Sequence, residues 1–311
     1  MNKIGVQSMG TIDRNHLEES YSMIKDAGFH CIDFNFDEYL NCNKVRAGEI
    51  DDFLDRPIEK IWKDFKPHVK AAAKYGLTFE QMHAPFPLRQ QGKDEVNEKM
   101  LRITENCMDI CSRMGGKYIV VHPQTLAYSS SKKEELTYNI NMFKQLIPLA
   151  KKFQLVICLE NMFMEYNGHL MEGICSDFNE AAALIDNLNV LAGEELFGFC
   201  FDVGHANILG KNLYQGIVTM GRRIKILHIH DNDGISDLHT MPYTFARGWN
   251  NLITDWDGFL RGLRDIEYQG VINFETHRCM QGFPRPLHSS VLHLLADIGR
   301  YFVAQLCLIN K

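Results

Sequence analysis

The chain has 311 residues, 45% hydrophobic and 23% charged, with a formal net charge of -6. That is enough apolar material for one large core, and the acidic balance argues against a broad nucleic-acid surface, which is usually basic. The start, MNKIGVQSMG, has no signal-like apolar run, and no stretch approaches the roughly 18 apolar residues of a membrane span, so no membrane association and a cytoplasmic location are expected.

Taken in order, strands are predicted at 3–8 (KIGVQS), 31–36, 77–84, 117–123, 154–161, 197–204, 224–231 and 270–276. These runs are rich in Ile, Val and Phe, which suit buried strands. Between them lie predicted helices at 17–27, 58–75, 96–114, 133–152, 179–191, 213–222 and 256–266, with a last one at 287–307. Gly28, Gly76, Gly115, Gly116 and Gly270 each stand where a helix would end before the next strand. Eight strand–helix units predict an α/β fold, a single-domain (β/α)8 TIM barrel over residues 1–311. An open doubly wound sheet is the alternative, but no G-x-G-x-x-G follows the first strand. The long connection 232–254 is where a lid or substrate loop would sit. Nine scattered cysteines without a C-x-x-C pair read as reduced core thiols.

A barrel gathers its chemistry at the C-terminal ends of its strands. His83, His122, Glu160, Asp202 with His205, His228 with His230 and Asp231, and Glu275 with His277 all fall there, and Asp237 and His239 lie just beyond strand seven. Alternation puts Ile226, His228 and His230 on one face of that strand. Converging carboxylates and imidazoles need a positive partner, and a divalent metal supplies it. Glu160, Asp202, His228 and Glu275 form a set suited to Mn, Mg, Co or Zn. His83, His122, His205, Asp237 and His239 are additional candidate ligands better suited to Zn, so one metal or up to three fit. Rim residues Arg247, Arg278 and Arg285 are candidates for holding a substrate phosphate or carboxylate, and Trp249 and Phe86 for stacking on a sugar. His16, His30, His68, His169, His288 and His293 read as surface or core residues, Cys107 and Cys111 as packing, and Met162, Met164 and Met171 as lining or core.

The segments HAPF (83–86), VVHP (120–123), LEN (159–161), FDVGH (201–205), HIHDNDGISDLH (228–239), DW (255–256) and NFE (273–275) together resemble the xylose isomerase-like barrel superfamily. That group includes sugar and sugar-phosphate isomerases and epimerases, inosose dehydratases and zinc-dependent apurinic endonucleases. The resemblance to its ketose epimerases implies one metal on Glu160, Asp202, His228 and Glu275. It also implies Glu160 and Glu275 as the catalytic proton-transfer pair and His205 as a substrate contact; His83 and His122 are further candidate substrate-binding residues. The resemblance to the endonucleases implies a three-zinc site on His83, His122, Glu160, Asp202, His205, His228, Asp237, His239 and Glu275. Two departures stand out. Asn232 and Asp233 follow Asp231 where the epimerases often carry Arg, and the glycine-rich segment before DW reads ARGWNN (246–251). The expectation is a metal-dependent isomerase or epimerase of a small sugar or polyol, with no nucleic-acid partner and pairing into a homo-oligomer. The alternatives are a zinc phosphodiesterase, an inosose-type dehydratase, or a non-catalytic sugar-binding barrel.

Overall fold

A computed structural model describes residues 2–248 and 251–308, so Trp249 lies outside the described residues. Among the described residues ten strands form: β1 (Ile4–Gln7), β2 (Cys31–Asn35), β3 (Thr78–His83), β4 (Tyr118–Val120), β5 (Val156–Glu160), β6 (Phe163–Tyr166), β7 (His169–Glu172), β8 (Phe197–Asp202), β9 (Ile224–His228) and β10 (Ile272–Phe274). Eight of them make a parallel sheet in the order β10-β1-β2-β3-β4-β5-β8-β9, and β6 and β7 make a separate antiparallel hairpin. The sheet closes on itself between β9 and β10. Ile229 N donates to Asn273 O at 3.0 Å, and Glu275 N donates to Ile229 O at 3.1 Å. With helices following the strands, this is the expected (β/α)8 barrel.

The eight barrel strands coincide with the eight predicted runs, each trimmed at its ends. The helices Leu17–Ala27 and Ile58–Tyr75 begin and end where sequence periodicity places them. The stretch 133–152 does not hold as one helix. It forms Lys132–Lys144 and Ile147–Phe153, because Pro148 lacks an N–H and crowds the preceding turn, so it sits at the start of a new helix. The hairpin β6–β7 and the short helix Cys42–Ala47 were not among the predicted elements.

Strand alternation divides the interior in two. Ile157, Leu159, Phe199, Phe201, Leu227 and Phe274 join the large core between sheet and helices. Val120, Cys158, Cys200 and Ile226 pack together inside the barrel. All nine cysteines are free thiols, and seven are buried, with Cys42 half-buried and Cys307 exposed. Among the described residues no helix is long and apolar enough to cross a membrane.

Candidate active site

The same alternation builds the site. Two residues beyond Cys158, Cys200 and Ile226 on their own strands come Glu160, Asp202 and His228, so the ionisable groups form the next layer above the inner apolar plug. Glu275 follows Asn273 in the same way at the end of β10. His228 Nδ1 lies 3.1 Å from Glu275 Oε2, 3.5 Å from Glu160 Oε2 and 3.9 Å from Asp202 Oδ2. All four side chains are buried, His228 and Asp202 completely. Nevertheless both ring nitrogens of His228 and Oε2 of Glu160 make no hydrogen bond. Buried polar atoms left this way are costly, and donors aimed at one point fit a divalent cation.

Two further groups flank this centre. His83 Nε2 lies 2.9 Å from His122 Nε2, and Glu160 Oε2 lies 3.2 Å from the latter. On the other side, His205 Nδ1 is 3.2 Å from Glu160 Oε1, His205 Nε2 is 3.7 Å from Asp237 Oδ2, and His239 Nε2 is 2.9 Å from the same oxygen. Within each trio, His83–His122–Glu160 and His205–Asp237–His239, the donor atoms lie within 4.8 Å of one another. All nine residues proposed as ligands from the sequence thus meet in one connected cluster, with Glu160 shared.

Backbone carbonyls set the imidazole orientations. Nδ1 of His83 donates to Ala84 O at 2.9 Å, that of His205 to Asn161 O at 2.9 Å, and that of His239 to Glu275 O at 3.1 Å. Each bond leaves Nε2 free to face inward, as metal-binding histidines require. Asn161 also exchanges two bonds with the Asp202 backbone, at 2.8 and 2.9 Å, and so fixes β8 against β5 at the rim.

The cluster is strongly polarised. Burial alone would raise the carboxyls of Glu160 and Glu275, but the surrounding imidazoles, led by His122 and His228 for the first and His228 and His239 for the second, hold both well below the usual range. Burial opposes a charge on His83 and His239, yet neighbouring carboxylates outweigh it and bring each to about 9. For His83 these are Glu160 and Asp37; for His239, Glu275 and Asp237. His122 is lowered, chiefly by burial.

Several supporting groups surround the cluster, and of these sequence reading had picked out His230 alone, by its place on the face of His228. Asp33, buried one layer below the ligands, accepts from Gln81 Nε2 at 2.9 Å and Asn273 Nδ2 at 2.8 Å, and its Oδ2 lies 3.4 Å from His228 Nε2. His230 Nε2 donates to both Asp202 oxygens, at 3.1 and 3.2 Å. Gln7 Nε2 donates to Glu275 Oε1 at 2.7 Å. Asp37, from the β2 loop, lies 3.5 Å from His83, and burial lifts its carboxyl to about 7. Alternation is the signal that marks Asp33, since it precedes the inward Asn35 by two. Asp231 turns away from the cluster and organises the long loop, accepting from Thr254 Oγ1 at 2.6 Å and Thr244 N at 3.0 Å.

A cavity of about 720 Å³ opens over the cluster, and Phe86 lines it as expected. Arg247 does not line it. That residue faces a separate hollow with Asn207, Gly234 and Ile253, because the loop carries it past the barrel mouth. Arg285 is paired with Glu19 at 2.6 Å, and Arg278 is also absent from the cavity wall. Among the described residues Arg46, from the unpredicted helix, is the one Lys or Arg that lines it. His68 is a core histidine, within hydrogen-bonding distance of the hydroxyls of Tyr21 (3.1 Å) and Tyr39 (3.3 Å).

A closed parallel barrel with acids and imidazoles on its C-terminal rim defines a class, and comparison with known families agrees. The family described as xylose isomerase-like TIM barrel matches residues 22–291, and the chain belongs to it. With that membership and this site, the chain is an enzyme. Among curated relatives, an uncharacterized protein of Methanocaldococcus jannaschii, MJ1311, is 29% identical over 204 residues. That match covers 63% of this chain and 63% of the relative, just under two thirds of its length. An inosose isomerase of Bacillus licheniformis is 24% identical over 217 residues, covering 68% and 69% of the two chains. Among solved structures, a D-tagatose 3-epimerase-like protein superposes with a TM-score of 0.67 at 18% identity, over 97% of this chain and 99% of that one. An IolI protein with a zinc atom superposes with a TM-score of 0.65 at 17% identity, over 98% and 97%.

Proposed function

We propose that the protein is a divalent-metal-dependent isomerase or epimerase of a sugar or related polyol. One observation carries the proposal: a fully buried imidazole nitrogen within 3.9 Å of carboxylates from three different strands, with no hydrogen bond of its own. The named activity of the inosose isomerase relative supports the same reaction class. Glu160, Asp202, His228 and Glu275 would hold the ion. Bound there, it supplies Lewis acidity toward a carbonyl and its neighbouring hydroxyl, which acidifies the C–H between them. Glu160 and Glu275 are the proton carriers. They reach the site from β5 and β10, with β8 and β9 between them in the barrel, so they approach the substrate from separate directions. One removes the proton and the other returns it. Delivery to the opposite face epimerises, and transfer to the neighbouring carbon isomerises. His205, His83 and His122, which line the cavity beside them, would bind substrate oxygens.

The test is elemental analysis of the purified protein, then a ketose and inosose panel in D2O with the metal found. Solvent deuterium should enter the product at carbon. Glu160→Gln should lower turnover by about 10²–10⁴-fold, the usual worth of a positioned acid–base group. Unchanged turnover in that variant would rule out proton transfer by Glu160.

A second reading, a zinc-dependent phosphodiesterase, is favoured by the two outer trios, which give the chain donors for three metals. Three zinc ions per chain and cleavage of an abasic DNA duplex would establish it. The single Lys or Arg along the cavity argues against a polyanionic substrate. Pairing of two chains, tested by sedimentation, is part of the proposal.

A further inference from the structure

The C-terminal helix, His288–Leu306, is apolar on two sides. Its inner side packs on the barrel. Val291, Leu292, Leu295, Phe302 and Val303 are buried there, and the Phe302 ring lies 5.7 Å from Trp256 and 6.2 Å from Phe274. Its outer side carries Leu294 and Tyr301, with Leu287 and Leu308 flanking the two ends. These four residues stand seven apart. Seven residues make nearly two turns, so the four form one stripe that drifts by only about 20° at each step. They are 46% (Leu287), 54% (Leu294), 47% (Tyr301) and 52% (Leu308) exposed, so nothing among the described residues covers them.

A helix facing water ordinarily turns polar residues outward, as Ile58–Tyr75 does with Lys60, Lys63, Asp64, Lys70 and Lys74. A helix that is apolar all round is ordinarily covered on every side. The stripe is also wider than the helix, because the ring of Tyr243, itself exposed, lies 6.5 Å from that of Tyr301.

Two features suit this face to a second copy of the same chain. The first is charge. Between Leu287 and Leu308 the exposed charged side chains are Asp297 and Arg300, which pair with each other. The face is thus neutral on a chain of net charge -6, so two copies can meet there with little of the repulsion their acidic surfaces otherwise bring. The second is shape. Short side chains, Ser290, Asp297 and Ala304, separate the large ones. In an antiparallel pair the large side chains of one copy can enter the gaps of the other, and Asp297 comes within reach of the partner's Arg300 across the axis. A twofold axis matches spacing and charge order at once, since both copies present the same face. We infer that two chains pair antiparallel through the stripe Leu287, Leu294, Tyr301 and Leu308, with the axis crossing near Asp297. The inference rests on the proposed pairing of two chains and gives that pairing its contact face.

The test is sedimentation of the full chain over about 1–100 µM. The wild-type chain should pass from its 35.8 kDa monomer towards twice that mass. Leu294→Lys and, separately, Tyr301→Lys should each weaken self-association about tenfold or more, because each sets an unpaired ammonium in the seam. Both side chains are exposed, so the variants should melt at the wild-type temperature. Val190→Lys, at an exposed apolar residue of the helix Phe178–Ala192, should leave the pairing intact. Asp297→Cys in a Cys307→Ser background should give a covalent dimer when treated with oxidised glutathione. A dimer that survives both lysine variants overturns this face and leaves the pairing itself standing. A chain monomeric at every concentration overturns the inference together with the pairing, and leaves the stripe to a partner of another sequence. A dimer that responds as expected but turns over no sugar sinks the proposed reaction and upholds the contact face.

Discussion

Gly204 has no side chain because the His230 ring already fills its place. A Cβ there would fall 1.9 Å from His230 Cε1. The ring cannot withdraw freely, since its Nε2 is bonded to both oxygens of Asp202 and its face stacks on His239 at 4.0 Å. Gly204→Ala should therefore cost about 1–3 kcal/mol as an overpacked site. It should also weaken metal binding through the displaced Asp202. Urea unfolding and a competitive metal titration measure the two effects, and a variant with native stability and affinity would contradict the account. Asp33 acts through His228 in a similar way. Asp33→Ala strands the Gln81 and Asn273 amides and removes the carboxylate that lies 3.4 Å from His228 Nε2, and it should lower metal affinity by about 10–100-fold, the usual effect of losing an outer partner. These two residues show where sequence reading stops. Glu160, Asp202, His228 and Glu275 stand at strand ends, where the topology itself marks them. Asp33 sits mid-strand in CIDFNF among apolar neighbours, and His230 lies past the end of the β9 ladder, so their partners appear only once the barrel closes.

At the scale of elements, local chemistry explains both the successes and the misses. Helix starts and stops with strong signals were readable, as at Gly28 and Gly76, whose left-handed φ of 105° and 65° ends the preceding helix. The helix Lys132–Lys144 is fixed by a capping box, in which Ser131 Oγ accepts from Glu134 N while the Glu134 carboxylate accepts from Ser131 N at 2.8 Å. Ser131→Ala should destabilise the protein by about 1 kcal/mol and leave turnover untouched, since this helix end lies outside the cavity. Thermal unfolding and steady-state kinetics on the same preparation check both halves of that statement. The hairpin β6–β7 carried a signal too. Asn167 and Gly168 both take positive φ, 51° and 78°, as a two-residue turn between antiparallel strands requires, and Asn-Gly is the sequence that favours it. It is hard to see in a βα rhythm because it adds a strand pair where the pattern leads to a helix.

For the whole molecule, eight alternating units made the barrel readable, because such units bury both faces of a parallel sheet only by closing or winding doubly. Closure then forces the acids and imidazoles together, and protons meet part of the resulting need for positive charge. His83 and His239 have folded values of about 9, above the roughly 6.5 of an unfolded histidine. Their contribution to stability is complete below pH 6.5 and is lost as the pH rises through 9. Asp37, lifted by burial to about 7, acts in the same sense at lower pH, since the folded chain keeps its proton where the unfolded chain has lost it. Glu160, Glu275 and Asp237, held well below their ordinary range, stay ionised across this window, and His277, lowered by burial to about 4, stays neutral. The metal-free protein should accordingly lose thermal stability between about pH 6.5 and 9. A bound divalent cation replaces those protons, so its stabilising effect should grow over the same interval as the imidazoles discharge. Melting temperatures at three pH values across the window, in chelator and in excess Mn²⁺ or Zn²⁺, should diverge as the pH rises. Parallel curves would mean that the cluster holds its protons for its own sake and that no cation competes for the site.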